Sequence, residues 1–429
     1  MTVYLHTQGC KVNQYESQAM REMLAENGYT VCEFSSTLPD IGKGIILINS
    51  CTVTGESDRK LRQFLRRCKR NHPHSILILT GCFSQAFPKE AERLEEVDIV
   101  LGNSQRKILP QILDSYFKNP QKIVCVKEHT KEYEHLSIHQ FDERTRAFLK
   151  IQDGCDCFCS YCIIPFARGR NRFSTLEEIK TEVENLGRAG FKEIVLTGIN
   201  LTAFGRGQGY DLADAVHVAA SVSEIVRVRL GSLEPDDITP TLIEKLKGEP
   251  KLCPHFHLSL QSGCDETLKR MRRRYTSKEY KTVCQNLRDA FPGCALTTDV
   301  MVGFVGETED EFNTSFQFVK SIGFSKIHVF PYSIRPGTKA AEEPIQLSNE
   351  VKNARARQMI AMGETCQKEF LESLIGNMET ILTETTGKDG FTEGFTANYS
   401  PVKVKGIYPP NTLLPVIITD VKDLVCIGE

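Results

Sequence analysis

Short apolar runs separated by amphipathic stretches constrain the fold of this chain more tightly than any other feature. Val3-Tyr4-Leu5-His6, Ile45-Ile46-Leu47-Ile48 and Ile76-Leu77-Ile78-Leu79 read as strands, with helices expected over residues 13–28 and 59–70. A strand that is apolar at nearly every position must be covered on both faces, as in a parallel sheet between two layers of helices. A second series repeats the pattern, with strands expected at residues 147–151, 193–198, 226–231, 256–260, 296–302 and 326–330. Ser174 with Glu177, Thr276 with Glu279, and Thr308 with Glu311 carry the spacing of helix-opening capping boxes between them. Six such βα units predict a partial (βα)6 barrel. A helical pattern over 344–375 leads to β-rich runs at 379–384, 390–405 and 413–427, which suit a small five-stranded barrel. The expected architecture is α/β in three parts: a parallel α/β domain over 1–125, a barrel over 141–370 and an all-β module over 371–429. The polar stretch from Lys127 to Arg146 reads as the linker between the first two.

Composition excludes rather than identifies. The 429 residues are 25% charged with a formal net charge of −2, so any nucleic acid must be held by local basic patches. Met1 to Met20 lacks the order of a signal peptide, and no apolar run approaches the roughly 18 residues of a membrane span. A cytoplasmic chain without a membrane partner is expected. Its 16 cysteines are too sparse for a disulfide scaffold, and in a reducing compartment thiols serve metals.

Six of those cysteines fall into two sets. Cys10, Cys51 and Cys82 each follow one of the first three strands, and ligands of open α/β sheets gather at the carboxyl ends of strands. The three could converge on one point, although cysteines so placed also serve simply as buried packing residues. Cys155, Cys159 and Cys162 form CxxxCxxC within Gln152-Asp153-Gly154-Cys155-Asp156-Cys157-Phe158-Cys159-Ser160-Tyr161-Cys162. Closed iron–sulfur sites use four cysteines, so three leave one iron of a cubane open to a ligand. A zinc knuckle would want a fourth ligand at short range, for which Cys157 is the extra candidate. The spacing, with Tyr161 before the last cysteine, resembles the radical S-adenosylmethionine (SAM) enzymes.

Several further strings carry a closer resemblance. Thr7-Gln8-Gly9-Cys10-Lys11-Val12-Asn13-Gln14-Tyr15-Glu16-Ser17, Asn49-Ser50-Cys51-Thr52-Val53-Thr54 and Thr80-Gly81-Cys82 are similar to the N-terminal domain of the radical-SAM methylthiotransferases. Ile163-Ile164-Pro165-Phe166-Ala167-Arg168-Gly169, Ser259-Leu260-Gln261-Ser262-Gly263, Thr298-Asp299-Val300-Met301-Val302-Gly303-Phe304, Gly306-Glu307-Thr308 and Phe330-Pro331-Tyr332-Ser333 continue the likeness in family order. Gly394-Phe395-Thr396 with Asn398-Tyr399 extends it into the small β-module, which resembles the RNA-binding TRAM domain. Cys157 and Ser50 depart from the usual family residues.

That resemblance implies two 4Fe-4S clusters and SAM as cofactors. Cys155, Cys159 and Cys162 would ligate the cluster that generates a deoxyadenosyl radical from SAM. Cys10, Cys51 and Cys82 would ligate an auxiliary cluster holding the sulfur to be transferred, and a second SAM would supply the methyl group. Lys11-Val12-Asn13-Gln14-Tyr15-Glu16 is similar to the branch that methylthiolates carbon 2 of threonylcarbamoyladenosine at tRNA position 37. The alternatives are the branches acting on isopentenyladenosine tRNA or on a ribosomal-protein side chain, and a metal-bearing RNA-binding module without catalysis. An electron donor is implied but not identified.

Beyond the cysteines, Gly198, Ser232, Gln261, Ser262 and Gly303 follow barrel strands and are the candidate SAM contacts. Asp299 and Glu307 lie near the same rim without an assigned role. Three basic runs are candidate tRNA contacts: Arg59 to Arg70, with seven cations and no acid, Arg168 to Arg172, and Lys269 to Arg274. Tyr399, Lys403, Lys405 and Tyr408 suit phosphate contact and base stacking in the last module.

Overall fold

The structure, a computed structural model, describes residues 1–35, 37–136, 138, 145–387 and 390–429. It divides into two compact units. The first comprises Met1–Gln140, Gln152–Ser174 and Ser333–Ala341; the second comprises Phe141–Ile151, Thr175–Tyr332 and Glu342–Glu429.

The first unit is built on a six-stranded parallel sheet of β1 (Thr2–Thr7), β2 (Thr30–Glu33), β3 (Ile45–Ser50), β4 (Ile76–Gly81), β5 (Ile99–Leu101) and β6 (Ile123–Cys125), in the order β2-β1-β3-β4-β5-β6. The continuous apolar runs have the cause expected of them. Ile45, Leu47 and Ile78 pack on one face against Met20 and Leu24 of α1 (Lys11–Glu26). Ile46, Ile48, Leu77 and Leu79 pack on the other against Leu61, Phe64 and Leu65 of α2 (Gly55–Asn71). Each fully buried Ile or Leu contributes about 1.5–3 kcal/mol, so the alternating faces of β3 and β4 hold both helices. The chain leaves β1 for the edge strand β2 and returns to the other side of β1 as β3. The β1/β3 pair is therefore the point where strand order reverses, the usual ligand crevice of such a sheet.

The Lys127–Arg146 stretch is exposed from Lys127 through Glu132 apart from half-buried His129, and turns inward beyond it. Leu136 and Ile138 are buried, and the Tyr15 hydroxyl donates to the Leu136 carbonyl. Residues 137 and 139–144 of the stretch lie outside the described residues.

In the second unit, β7 (Arg146–Lys150) opens the βα series. The chain then crosses into the first unit, where β8 (Gln152–Asp153) pairs antiparallel with β9 (Arg172–Phe173). Back in the second unit follow β10 (Glu193–Thr197), β11 (Arg227–Leu230), β12 (Ser232–Leu233), β13 (His255–Leu258), β14 (Ala295–Val302) and β15 (Lys326–Pro331). All pairings are parallel, in the runs β11-β10-β7 and β12-β13-β14-β15. Six strand positions follow one another around an open barrel, the third being interrupted at Gly231. Helices start at Thr276 and Thr308 with the expected capping boxes, but the first box is displaced by one residue: Thr175 accepts from Glu178 N at 3.2 Å. Ser174 is buried and does not cap the helix.

The last stretch forms a closed barrel of β16 (Met378–Thr386), β17 (Phe391–Thr396), β18 (Pro401–Lys405), β19 (Leu413–Lys422) and β20 (Val425–Gly428). Ile381, Val402, Val404, Val416, Ile418 and Cys426 fill it. It belongs to the second unit, tied there by Arg229, which donates from Nη1 to Ala397 O at 2.9 Å and from Nε to Glu193 Oε1 at 2.7 Å. Among the described residues no helix is long and apolar enough to cross a membrane.

Candidate metal centres

Cys10, Cys51 and Cys82 stand at the carboxyl ends of β1, β3 and β4, three adjacent strands. Each position has a local reason. Cys10 is the N-cap of α1, at the mouth of the helix. Gly9, at φ +122°, brings the backbone so close that a Cβ there would lie 2.7 Å from Cys51 Cβ. Gly81, at φ +101°, turns the chain from β4 into α3 (Cys82–Ala86), and a Cβ there would lie 2.3 Å from Ser50 O. The three thiols are near enough to act on one another. Burial pushes Cys51 up to about 12, with the Cys82 and Cys10 thiolates adding to the rise. Burial likewise raises Cys82, partly offset by Arg168. Thiols this reluctant to ionise alone are deprotonated outright by coordination to a metal.

Cys155, Cys159 and Cys162 lie half-buried in the loop after β8. Gly154 must be glycine, for at φ +73° a Cβ would sit 2.0 Å from Arg170 O. The loop is closed by Cys155 N donating to Gly169 O at 3.0 Å and Cys162 N donating to Cys159 O at 3.0 Å. Cys157 takes part through its backbone, its N–H donating to Cys155 Sγ at 3.4 Å. Phe158, at φ +48°, packs edge-on to Phe166 and lies under the Arg170 guanidinium. Among the described residues no three His, Cys, Asp or Glu side chains are grouped to hold a single metal ion. In a cubane each thiolate takes its own iron, so a cluster does not ask three thiols to meet on one ion.

Between the two triads in the same unit lies an ion network that reasoning from sequence missed. Arg168 is 1% exposed and binds Glu16 at 2.8 and 3.0 Å, Asn13 Oδ1 at 2.7 Å and Asp153 at 3.2 Å. Glu16, itself wholly buried, also accepts from Arg106 at 3.0 Å, and Arg172 reaches Asp153 at 3.6 Å. The 168–172 run is therefore mainly structural: Arg168 and Arg172 are buried, and exposed Arg170 pairs with Asp156 at 3.3 Å. The signal was present in the placement of Asn13 and Glu16 after Cys10, but their partner was hidden in a basic string.

The other basic runs also find acids. On α2, Arg59 and Lys60 share Glu56, Arg62 pairs with Glu90, Arg66 with Glu96 and Lys69 with Asp98. The helix nevertheless lines an open groove of about 800 Å3 with Arg66, Arg67 and Arg70 on one side and His6, Gln8 and Gly9, which lead into Cys10, on the other. In the third run, Arg270 holds Glu311 and Arg273 holds Glu234. Tyr399 is not an open stacking platform: it stacks on Phe395 and lies beneath the Arg146 and Arg229 guanidinium groups. Lys403 leans on Phe391 and Glu393, Lys405 is exposed and Tyr408 packs against the barrel core.

Of the candidate SAM contacts, Gly198 and Gln261 are half-buried and Ser232 is exposed. Gln261 adopts φ +68°. Ser262 is wholly buried with its hydroxyl turned to Ser315 and Cys264 N, and Gly303 is buried with its N–H held by Glu307 at 2.6 Å. The Ser262 hydroxyl and the Gly303 N–H are thus already held within the protein.

Two family models match the chain: the Radical SAM superfamily over residues 149–319, and the uncharacterized protein family UPF0004 over residues 2–102. The threonylcarbamoyladenosine tRNA methylthiotransferase MtaB of Bacillus subtilis (strain 168) is 40% identical over 413 residues, covering 94% of this chain and 90% of the relative. The protein of the same name from Aquifex aeolicus (strain VF5) is 36% identical, covering 97% and 100%. The chain belongs to the MtaB family of methylthiotransferases. A tRNA-2-methylthio-N(6)-dimethylallyladenosine synthase from Pelotomaculum thermopropionicum is 33% identical, covering 88% and 85%, so the related branch is recognisable at lower identity. Among solved structures, the radical SAM methyltransferase TsrM of Kitasatospora setae, with cobalamin and a 4Fe-4S cluster bound, gives a TM-score of 0.57 at 13% identity, over 79% of this chain and 77% of that one. OxsB, a cobalamin-dependent radical enzyme, gives 0.52 at 12% identity, over 87% and 56%. At such identities the likeness is one of fold, and the MtaB family shares that fold with distant radical SAM enzymes.

Proposed function

We propose that this protein is a tRNA-modifying transferase that replaces the carbon-2 hydrogen of N6-threonylcarbamoyladenosine, at position 37 beside the anticodon, with a methylthio group. Its cofactors are two 4Fe-4S clusters and SAM. The observation that carries the reading is the pair of cysteine triads, one on three strand ends and one in a loop, in a chain aligned with MtaB relatives over nearly its whole length.

The substrate's C–H bond is neither acidic nor weak, so side-chain acids and bases cannot ionise it at neutral pH. The bound clusters and SAM supply radical chemistry and a soft sulfur, and the protein supplies placement. Cys155, Cys159 and Cys162 hold one cluster, and Cys10, Cys51 and Cys82 hold the other. The Cys157 N–H steadies Cys155 Sγ, while Gly154 lets the loop close on Gly169. Gly198, Ser232, Gln261, Ser262 and Gly303 line the strand ends of the open barrel where SAM is held. Arg66, Arg67 and Arg70 bind RNA phosphates in the groove that leads to Cys10. As functional modules we retain 1–125, 141–370 and 371–429, with the CxxxCxxC segment packed in the same compact unit as the first of them.

Nucleoside mass spectrometry of tRNA from cells with and without the gene tests the reading. The methylthio form of threonylcarbamoyladenosine should vanish without the gene while the unmethylthiolated form accumulates. Loss of methylthio-isopentenyladenosine instead would refute the substrate assignment.

A further inference from the structure

The buried cation beside the strand-end cysteines has no part in the chemistry assigned so far. Arg168 commits both terminal nitrogens: Nη1 donates to Glu16 Oε1 and Asp153 Oδ1, and Nη2 to Asn13 Oδ1 and Glu16 Oε2. Its Nε–H is buried and has no acceptor in the protein. A charged donor left without an acceptor in the interior is strongly destabilising, so a further acceptor atom is wanted. Arg106 and Arg172 also bury an unpartnered Nε, and Arg106 too acts on Cys82, but less strongly than Arg168 does. Among its charged neighbours Cys82 acts on it most strongly, ahead of Glu16 and Asp153, and Cys51 also responds to it. Cys10 is linked as well, its thiol lying 3.7 Å from the Asn13 oxygen that Arg168 grips. A lysine could not do this, because only a guanidinium can fix two arms in a carboxylate and amide cradle and still aim a third donor elsewhere.

We infer that Arg168 donates its Nε–H to sulfur at the Cys10/Cys51/Cys82 site, the Cys82 thiolate or a sulfide of the cluster, and thereby sets that cluster's reduction potential. The inference rests on the proposal that these three cysteines hold a cluster. Adding one electron makes an already anionic cluster more negative, and hydrogen bonds and positive charge at its sulfurs favour that state. Cys51 and Cys82 are 7% and 2% exposed, so little water screens the effect. Glu16 acts in the opposite sense, as a buried carboxylate that restrains the cation.

The test uses full-length protein in which Cys155, Cys159 and Cys162 are replaced by Ala, leaving one cluster to observe. Its one-electron reduction by dithionite is followed by electron paramagnetic resonance at set potentials. Adding R168Q should disfavour the reduced form by about tenfold, a shift of roughly 59 mV to more negative potential. R168K, keeping the charge but not the fork, should shift less. E16Q, which removes a buried negative charge, should shift the potential the other way. Structural loosening would move R168Q and E16Q in the same direction, and that result overturns the inference. So does an R168Q protein with full iron and unchanged potential. If R168Q holds no iron, E16Q decides alone, and a potential at or below that of the parent overturns the inference. A parent variant that binds no iron would instead refute the cluster assignment on which the inference stands.

Discussion

Replacing Gly81 with Ala tests whether the strand-end site is as tightly built as its backbone indicates. Gly81 has φ +101° and ψ −162°, a region essentially reserved for glycine, and holding an L-residue there costs about 1–3 kcal/mol. The new Cβ would meet Ser50 O at 2.3 Å, Ser50 N at 2.5 Å and Asn49 Oδ1 at 2.7 Å. Two of these are backbone atoms of β3, so relief requires moving a strand, and overpacking of this kind costs a further 1–3 kcal/mol or so. Gly28 is the control. It ends α1 in a Schellman motif, with Gly28 N donating to Ala25 O and Tyr29 N to Leu24 O at 3.0 Å each, at φ +82° but with no atom within 4 Å of a Cβ. G28A should therefore lose only the backbone part, about 1–2 kcal/mol. G81A should lose about 2–6 kcal/mol in all. With a urea slope of about 1–3 kcal/mol/M, G81A should lower the midpoint of the transition of the first unit by about 1 M or more. Urea unfolding of both full-length variants measures the difference, and iron content after anaerobic reconstitution should fall in G81A alone. Equal midpoints for G81A and G28A would refute the steric argument.

Anaerobically reconstituted protein should hold roughly eight irons, and the variant with Cys155, Cys159 and Cys162 replaced by Ala about half as many; unchanged iron would remove the two-cluster proposal. R66E with R70E should weaken tRNA binding and flatten its salt dependence, by about one unit of slope for each phosphate no longer neutralised, while RNA-free SAM cleavage continues. Glu193 provides a pH test: burial works against its carboxylate, but the Arg229 guanidinium, helped by Arg146 and Arg227, outweighs it and holds the group below the usual carboxylate range. Its contribution to stability is therefore present above about pH 4.3, the unfolded value, and is lost as pH falls through the folded one. E193Q should be less stable at pH 7 and lose less on acidification; an identical acid profile would count against the pair.

Much of this structure was legible because burial writes itself into residue order. The apolar runs at Ile45–Ile48 and Ile76–Leu79 could only be strands covered on both faces, and the strand-end cysteines followed from them. The six barrel strands were equally clear as apolar runs, and three of the helices between them announced their starts, one of them displaced by a residue. What failed was the reading of charge. A cation in sequence has no visible partner, so Arg168, Arg172, Arg270 and Arg273 looked like RNA contacts, yet each meets an acid distant in the chain. Tyr399 misled for the same reason, because the arginines covering it come from strands β7 and β11. The Ser262 hydroxyl, at a strand end, is likewise turned to Ser315, a neighbour that local sequence does not name.

The discontinuity of the first unit bears on the order in which the protein can be made. Its sheet is complete at Cys125, but Arg168 and the residues around it come later, and so does the last segment, 333–341. From that segment Arg335 reaches the largely buried Asp58 at 2.6 Å and Ser333 accepts from Gly55 N at 2.8 Å. At about 5–20 residues per second, a ribosome needs on the order of 10–40 s to travel from the end of the sheet to Arg335. During that interval Glu16 has Arg106 but not Arg168 until the loop emerges, and Asp58 has no guanidinium from Arg335. The nascent first unit thus waits, half neutralised, for pieces of chain that the barrel is still spelling out. Arg168 joins the strand-end cysteines first, while the Thr52 and Asp58 pair beside Cys51 receives its cation only when most of the polypeptide exists.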